Sequence, residues 1–215
     1  MNSTSKTRRE EGNRTIRILL YAATCAAIVA AAGLGLSLIL EQSRIADIER
    51  GALTTAEARD LIGTGQSPAL LLAAADSLRL QEQDDIETAR TLTAEALERQ
   101  PAQPVAWARL AYYEAALAGG LNEEALSALQ TSIRQCGYCD KDLMRWRLGF
   151  ILNHWADTPE AVRLDVFRGA EFLRWWHIDG AFLAEAHQKA NGLGIPFREY
   201  QKAVVTSVRP QEVLN

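Results

Sequence analysis

DDIETARTLTAEALERQPAQPVAWARLAYYEAALAGG, residues 84–120, holds two helices and the turn between them. Asp84 and Asp85 supply acidic groups that suit the positive end of a helix dipole, and the helix they open runs through Arg99. Pro101 cannot continue it, because proline has no N–H and its ring clashes with the preceding turn. Pro104 then opens a second helix from a first-turn position that proline tolerates, and Gly119 and Gly120 end it.

The same punctuation recurs outward in both directions. Ser67 and Pro68 form a cap and a first-turn proline ahead of the apolar run Ala69–Leu80. Asn122 caps a helix ending at Gly137, and Asp140 caps one through Trp155. Thr158 and Pro159 open another to about Trp176. Asp179–Ala190 and Pro196 to about Thr206 form a last pair around Asn191–Gly194. The composition agrees: six prolines, 7% aromatics and no sustained apolar–polar alternation leave no strand pattern. The expected fold class is all-α. A net charge of −4 gives no basic surface for nucleic acid.

Toward the amino terminus, Ile18–Leu40 is free of charge and long enough to cross a bilayer, which takes about 20 apolar residues. A cleaved signal peptide is the competing reading, but its apolar region is only about 7–15 residues. Lys6, Arg8, Arg9, Arg14 and Arg17 precede the run, so the positive-inside rule keeps the amino terminus cytoplasmic and translocates the rest. The expected location is a bacterial inner membrane, crossed once, with the bulk of the chain in the periplasm. Ala23, Ala27, Ala31 and Gly35 lie four apart, a spacing that allows close helix–helix approach and homo-association. The expected organisation is a basic tail over 1–17, a span over 18–40, a stalk over 41–66, a helical domain over 67–207 and a tail over 208–215. Thr54 and Glu57 form a capping box for a brief stalk helix ending near Ile62.

A repeat underlies the hairpins. Ala89, Ala96 and Pro101 occupy small, small and closing-proline positions of a unit of about 34 residues. Counting on without a gap places Trp107, Leu110 and Ala111 at the aromatic, leucine and small positions of the next. That unit departs by about two residues around Ala118–Gly120. Ala125, Leu129 and Ser132 then fit its second helix, with Gly137 where proline is usual. Leu148 and Gly149 repeat the leucine–small pair in a more degenerate third. From Pro68 to Trp176 the chain resembles a tetratricopeptide array. That resemblance implies a concave face for partner proteins, and stacking would bury Leu92, Leu97, Leu110, Leu126, Leu129, Leu148 and Ile151 in one continuous core. A narrower resemblance, on PVAWARLA (104–111), EALSALQTS (124–132), RWRLG (145–149) and the 163–175 segment, is to the VpsP-like family. Its members are single-anchor accessory proteins of exopolysaccharide or capsule biosynthesis. The implied role is a scaffold of an envelope assembly, without catalytic residues or cofactor.

Cys136-Gly-Tyr-Cys139 admits three readings: a disulfide or thiol pair stiffening a turn, part of a zinc site, or a thiol–disulfide redox centre such as a maturation factor uses. No second C-x-x-C or paired histidines accompanies it, and Cys25 lies in the apolar run. His154, His177 and His187 are too scattered for a ligand pair. Trp146, Trp155, Trp175 and Trp176 cluster in the third hairpin. Trp175 and Trp176 are adjacent and cannot both face one core, so one is a candidate partner contact. Arg145, Arg147, Arg163, Arg168 and Arg174 are expected on a solvated face, with Arg145 and Arg168 as candidate contacts for an acidic partner. A translocon-associated chaperone is a third functional reading.

Overall fold

The computed structural model describes residues 4–51 and 53–208, with side chains from Ala23 onward. Ten helices and no strand occur among the described residues: α1 (Thr4–Arg50), α2 (Thr55–Arg59), α3 (Pro68–Ser77), α4 (Gln83–Arg99), α5 (Pro104–Ala118), α6 (Glu123–Gln135), α7 (Lys141–Asn153), α8 (Glu160–Trp176), α9 (Gly180–Gly192) and α10 (Phe197–Val208). The chain is all-α. It divides into two units, Met1–Asp47 and Ile48–Asn215.

In the first unit α1 is one uninterrupted helix, so most of the expected tail is helical and the apolar run has no break on either side. From Ala23 to Arg50 the helix is long and apolar enough to cross a membrane, and none of its apolar window is buried against protein. Ile28, Val29, Leu34, Leu36, Leu38, Ile39 and Leu40 all point outward. The side chains of Lys6, Arg8, Arg9, Arg14 and Arg17, and residues 209–215 of the expected tail, lie outside the described residues.

The second unit shortens the stalk. Thr54 and Glu57 form the capping box, with the Thr54 N–H donating to Glu57 at 2.9 Å. The helix they start is part of the domain, however. Ala58 is fully buried with Leu71, Ala74, Ala89 and Leu92, and Leu53, Leu61 and Ile62 pack against the same cluster. The polar residues that suggest a stalk are the outer face of this short element.

Local chemistry explains the boundaries. Ser67, Asn122 and Asp140 accept from the third helical N–H of α3, α6 and α7 at 3.2, 2.8 and 2.7 Å. Gly119 ends α5 at φ 70, a conformation that leaves a side chain space but strains its backbone. Two expected boundaries move because their polar residues are used elsewhere, and a third moves with the backbone. Asp85 accepts from Thr55 and from the Gln81 N–H, tying α2 to the α3–α4 loop, and α4 starts at Gln83 without a side-chain cap. The Thr158 hydroxyl donates to the His154 carbonyl at 2.8 Å, so α8 begins after Pro159. α3 stops at Ser77 because Leu78 turns extended at ψ 139, and Leu80 beyond it lies in the left-handed region at φ 54.

The helices pair as hairpins α3–α4, α5–α6, α7–α8 and α9–α10. α5, α7 and α9 then meet in series, as do α6, α8 and α10. The buried apolar residues form two clusters rather than one continuous core. One joins α2 to the first hairpin and Tyr113; the other runs from Ala111 to Val204. α5 serves both, presenting Tyr113 to the first and Ala111 and Ala115 to the second. Burial pushes the Tyr113 hydroxyl up to about 12.

Ala58→Leu separates a packed element from a free stalk. Overpacking that site lowers stability by about 1–3 kcal/mol in denaturant unfolding, whereas a stalk residue would leave the midpoint unchanged.

Candidate functional site

The third hairpin carries the residues singled out in the sequence, and the structure separates them into tied and available groups. Arg147 is 2% exposed. Its guanidinium donates to the Cys136 carbonyl at 2.7 Å, and to the carbonyl and hydroxyl of Ser132 at 2.6 and 2.8 Å. Ser132 in turn donates to the Pro104 carbonyl at 2.6 Å. One buried cation thus joins α7 to the last turn of α6 and, through serine, to the start of α5. Burial lowers the Arg147 pKa to about 10, which leaves it charged at neutral pH. The negative end of the α6 dipole and the nearby Asp140 favour that charge. The solvated-face expectation therefore fails at Arg147, because α6 ends directly against α7.

Arg145 is also engaged. It grips Asp179 with two parallel bonds, Nε to Oδ2 at 2.6 Å and Nη2 to Oδ1 at 2.9 Å. Its pairing holds the Asp179 carboxyl below its ordinary range and explains why Asp179 does not cap α9 with its side chain. Arg163 lies 4.3 Å from the Trp155 ring and donates to the Trp155 carbonyl at 2.6 Å. Arg168 pairs with Asp165. Arg145 and Arg168 thus spend their charge within the domain.

Tyr138 lies on the turn between Cys136 and Cys139, and these cysteines are joined as a disulfide. A bridge closing so short a loop restricts the unfolded chain little, worth about 2 kcal/mol on chain-entropy grounds. Tyr138 stacks on Phe172 at 4.8 Å, and Phe172 stacks on Trp176 at 5.8 Å. This ladder reaches the surface: Tyr138 is 43% exposed, Trp176 56% and the following Ile178 86%. Ile178 lies at φ 52, a costly conformation for a β-branched residue, fixed between the α8 terminus and the anchored Asp179. Of the tryptophan pair, Trp176 is the exposed member. Trp175 is partly buried and donates its indole N–H to Glu171 at 3.1 Å.

A second feature lies between α5 and α7, a groove of about 400 Å³ lined by Val105, Ala108, Arg109, Asp140, Leu143 and Trp146. Its floor is apolar and its rim carries both charges, the usual make-up of a recognition groove. Val105 and Leu143 carry no motif that marks them in the sequence, and Trp146 stands out there only as one of a cluster of tryptophans. The three histidines pack against rings, His154 on Phe150, His177 on Phe172 and His187 on Phe197. No cluster of three or more His, Cys, Asp or Glu suited to a metal occurs among the described residues. No family model, curated protein or solved structure matches this chain.

The Asp179 clamp carries a pH signature. Because its folded pKa is depressed, the carboxylate stabilises the fold above its unfolded pKa of about 3.9, and that contribution is lost as pH falls through the lower folded value. Asp179→Asn therefore destabilises the domain at pH 7, and the gap from the parent chain narrows progressively below about pH 4. A pH-independent gap in urea midpoints would show that the clamp is not ionic.

Proposed function

We propose that this chain is a membrane-anchored, tetratricopeptide-like scaffold. α1 crosses a bacterial inner membrane with its amino terminus in the cytoplasm, and the helical domain binds partner proteins on the periplasmic face. The observation that carries the reading is the groove between α5 and α7, first helices of successive hairpins, where Val105, Leu143 and Trp146 offer an apolar floor. In tetratricopeptide-like stacks that side is the concave, partner-binding one.

Two further observations support it. Contacts recur at one repeat length: Gln135 donates to the Pro101 carbonyl across 34 residues, and Arg145 meets Asp179 across 34. Trp107, at the aromatic position of its unit, donates to that same Pro101 carbonyl at 2.8 Å, so the closing proline and the next aromatic meet as the register requires. The assembly served is an envelope one, for polysaccharide synthesis or export, on the narrower family resemblance alone. The lipid bilayer is a partner through Ile18–Leu40, and Ala23, Ala27, Ala31 and Gly35 form the face through which two such helices would meet.

Two measurements test this reading. Alkaline phosphatase fused after the helical domain should be active and an amino-terminal fusion inactive; the reverse pattern would overturn the orientation. Envelope proteins should co-purify with the full chain from solubilised membranes, and Trp146→Ala combined with Leu143→Ser should lose them while α-helical content stays unchanged. Undiminished recovery by that double variant would overturn the groove.

A further inference from the structure

A pocket of about 500 Å³ lies among α8, α9 and α10, away from the groove between α5 and α7. Its volume is that of a small-molecule site. Glu171, Arg174, His187, Arg198, Gln201 and Lys202 supply its polar wall, and Leu183 and Val205 its apolar one.

Glu171 is completely buried in the middle of α8. Oε2 accepts from the Trp175 indole at 3.1 Å. Oε1 is buried and accepts no hydrogen bond; its nearest cation is the Nη1 of Arg174 at 3.9 Å. A buried carboxylate oxygen without a donor is costly, and native folds seldom leave one without a purpose. Burial pushes this carboxyl above its ordinary range, against the opposing pull of Arg174, Trp175 and the Gln201 amide beside it.

The rest of the wall has the opposite sign. Arg198 and Lys202 are exposed, lie one turn apart on α10 and make no ion pair among the described residues. With Arg174 they set three cations against one carboxylate. Such a wall draws anions, while the orphaned Oε1 calls for a hydrogen-bond donor. A bare anion would satisfy the cations and be repelled by Glu171. A neutral polyol would satisfy Glu171 and leave the cations unused.

We propose that this pocket binds a small hydroxylated anion, a carboxylate or phosphate ester carrying hydroxyl groups. Its anionic group is held by Arg174, Arg198 and Lys202, and one hydroxyl donates to Oε1 of Glu171. Leu183 and Val205 pack against its carbon skeleton. The proposal does not depend on the scaffold reading, since the two sites share no residue.

Calorimetric titration of the full chain in detergent micelles tests it, with glucuronate, glucose 6-phosphate, glucose and inorganic phosphate as probes. The expected result is that glucuronate or glucose 6-phosphate binds with a Kd below about 1 mM, and that glucose and phosphate each bind about tenfold more weakly or worse. Which sugar anion binds tighter tells carboxylate from phosphate ester. Arg198→Ala with Lys202→Ala, both exposed, should weaken the preferred probe by about tenfold or more without disturbing the fold. Glu171→Met should abolish the preference for hydroxylated over bare anions; if that variant unfolds, the α10 double variant decides alone. The proposal is overturned if neither sugar anion binds, if phosphate or glucose matches them, or if the α10 double variant binds as tightly as the parent chain.

Discussion

The buried guanidinium of Arg147 is the constraint on which the third hairpin depends. Carbonyls at a helix end are short of intrahelical partners, and the last turn of α6 sets those of Ser132 and Cys136 against α7. Arg147 supplies three bonds there at once, two to the carbonyls of Ser132 and Cys136 and one to the Ser132 hydroxyl. Ser132 passes the restraint to Pro104, so the angle between the second and third hairpins is set by polar contacts as well as by packing. Among the described residues no carboxylate is bonded to the cation; its charge is tolerated because it sits at the negative end of a helix. Arg145, two residues earlier on α7, makes a different tie, an ion pair with Asp179 that couples the start of α9 to α7.

These restraints leave particular surfaces free. On the third hairpin, Arg145, Arg147, Arg163 and Arg168 each have a partner within the domain, Arg147 in the interior and Arg168 in an exposed pair with Asp165. What the hairpin offers is apolar: the groove beside Trp146 and the ladder from Tyr138 through Phe172 to Trp176. Exposed positive charge gathers on Arg198 and Lys202, with Arg174 beside them, around the pocket floored by Glu171. Protein docking and small-anion binding would thus use different surfaces of one stack.

The helices and their hairpin order are legible in the sequence because each is punctuated by a residue with a local reason to be there, such as Asn122, Asp140 or Gly119. The apolar span is legible from length and charge alone. What the sequence hides is long-range use of polar groups. Asp85, Thr158 and Asp179 all look like caps, yet Thr55, the His154 carbonyl and Arg145 claim their side chains. The arginines look solvated because a run of charges gives no sign of which one faces a neighbouring helix end. The stalk looks polar because Ala58, its one fully buried residue among the described residues, is small and unremarkable in a chain rich in alanine. The pocket at Glu171 was invisible for a further reason: its residues come from three helices spread over 171–205 and form no motif.

Placing such a domain beside a membrane changes what weak contacts can do. A scaffold confined to the bilayer surface meets partners of that surface at a high effective concentration, so modest affinity at each contact suffices. The central claim is that the α5–α7 groove is the face that meets a partner. In-cell photocrosslinking tests it most directly, with a photoreactive residue placed in turn at Val105, Trp146 and, as an outward-facing control, Glu185. The account expects discrete crosslinks to one or a few envelope proteins from the two groove positions and none of those products from the control. The same products from all three positions, or none from the groove, would contradict it.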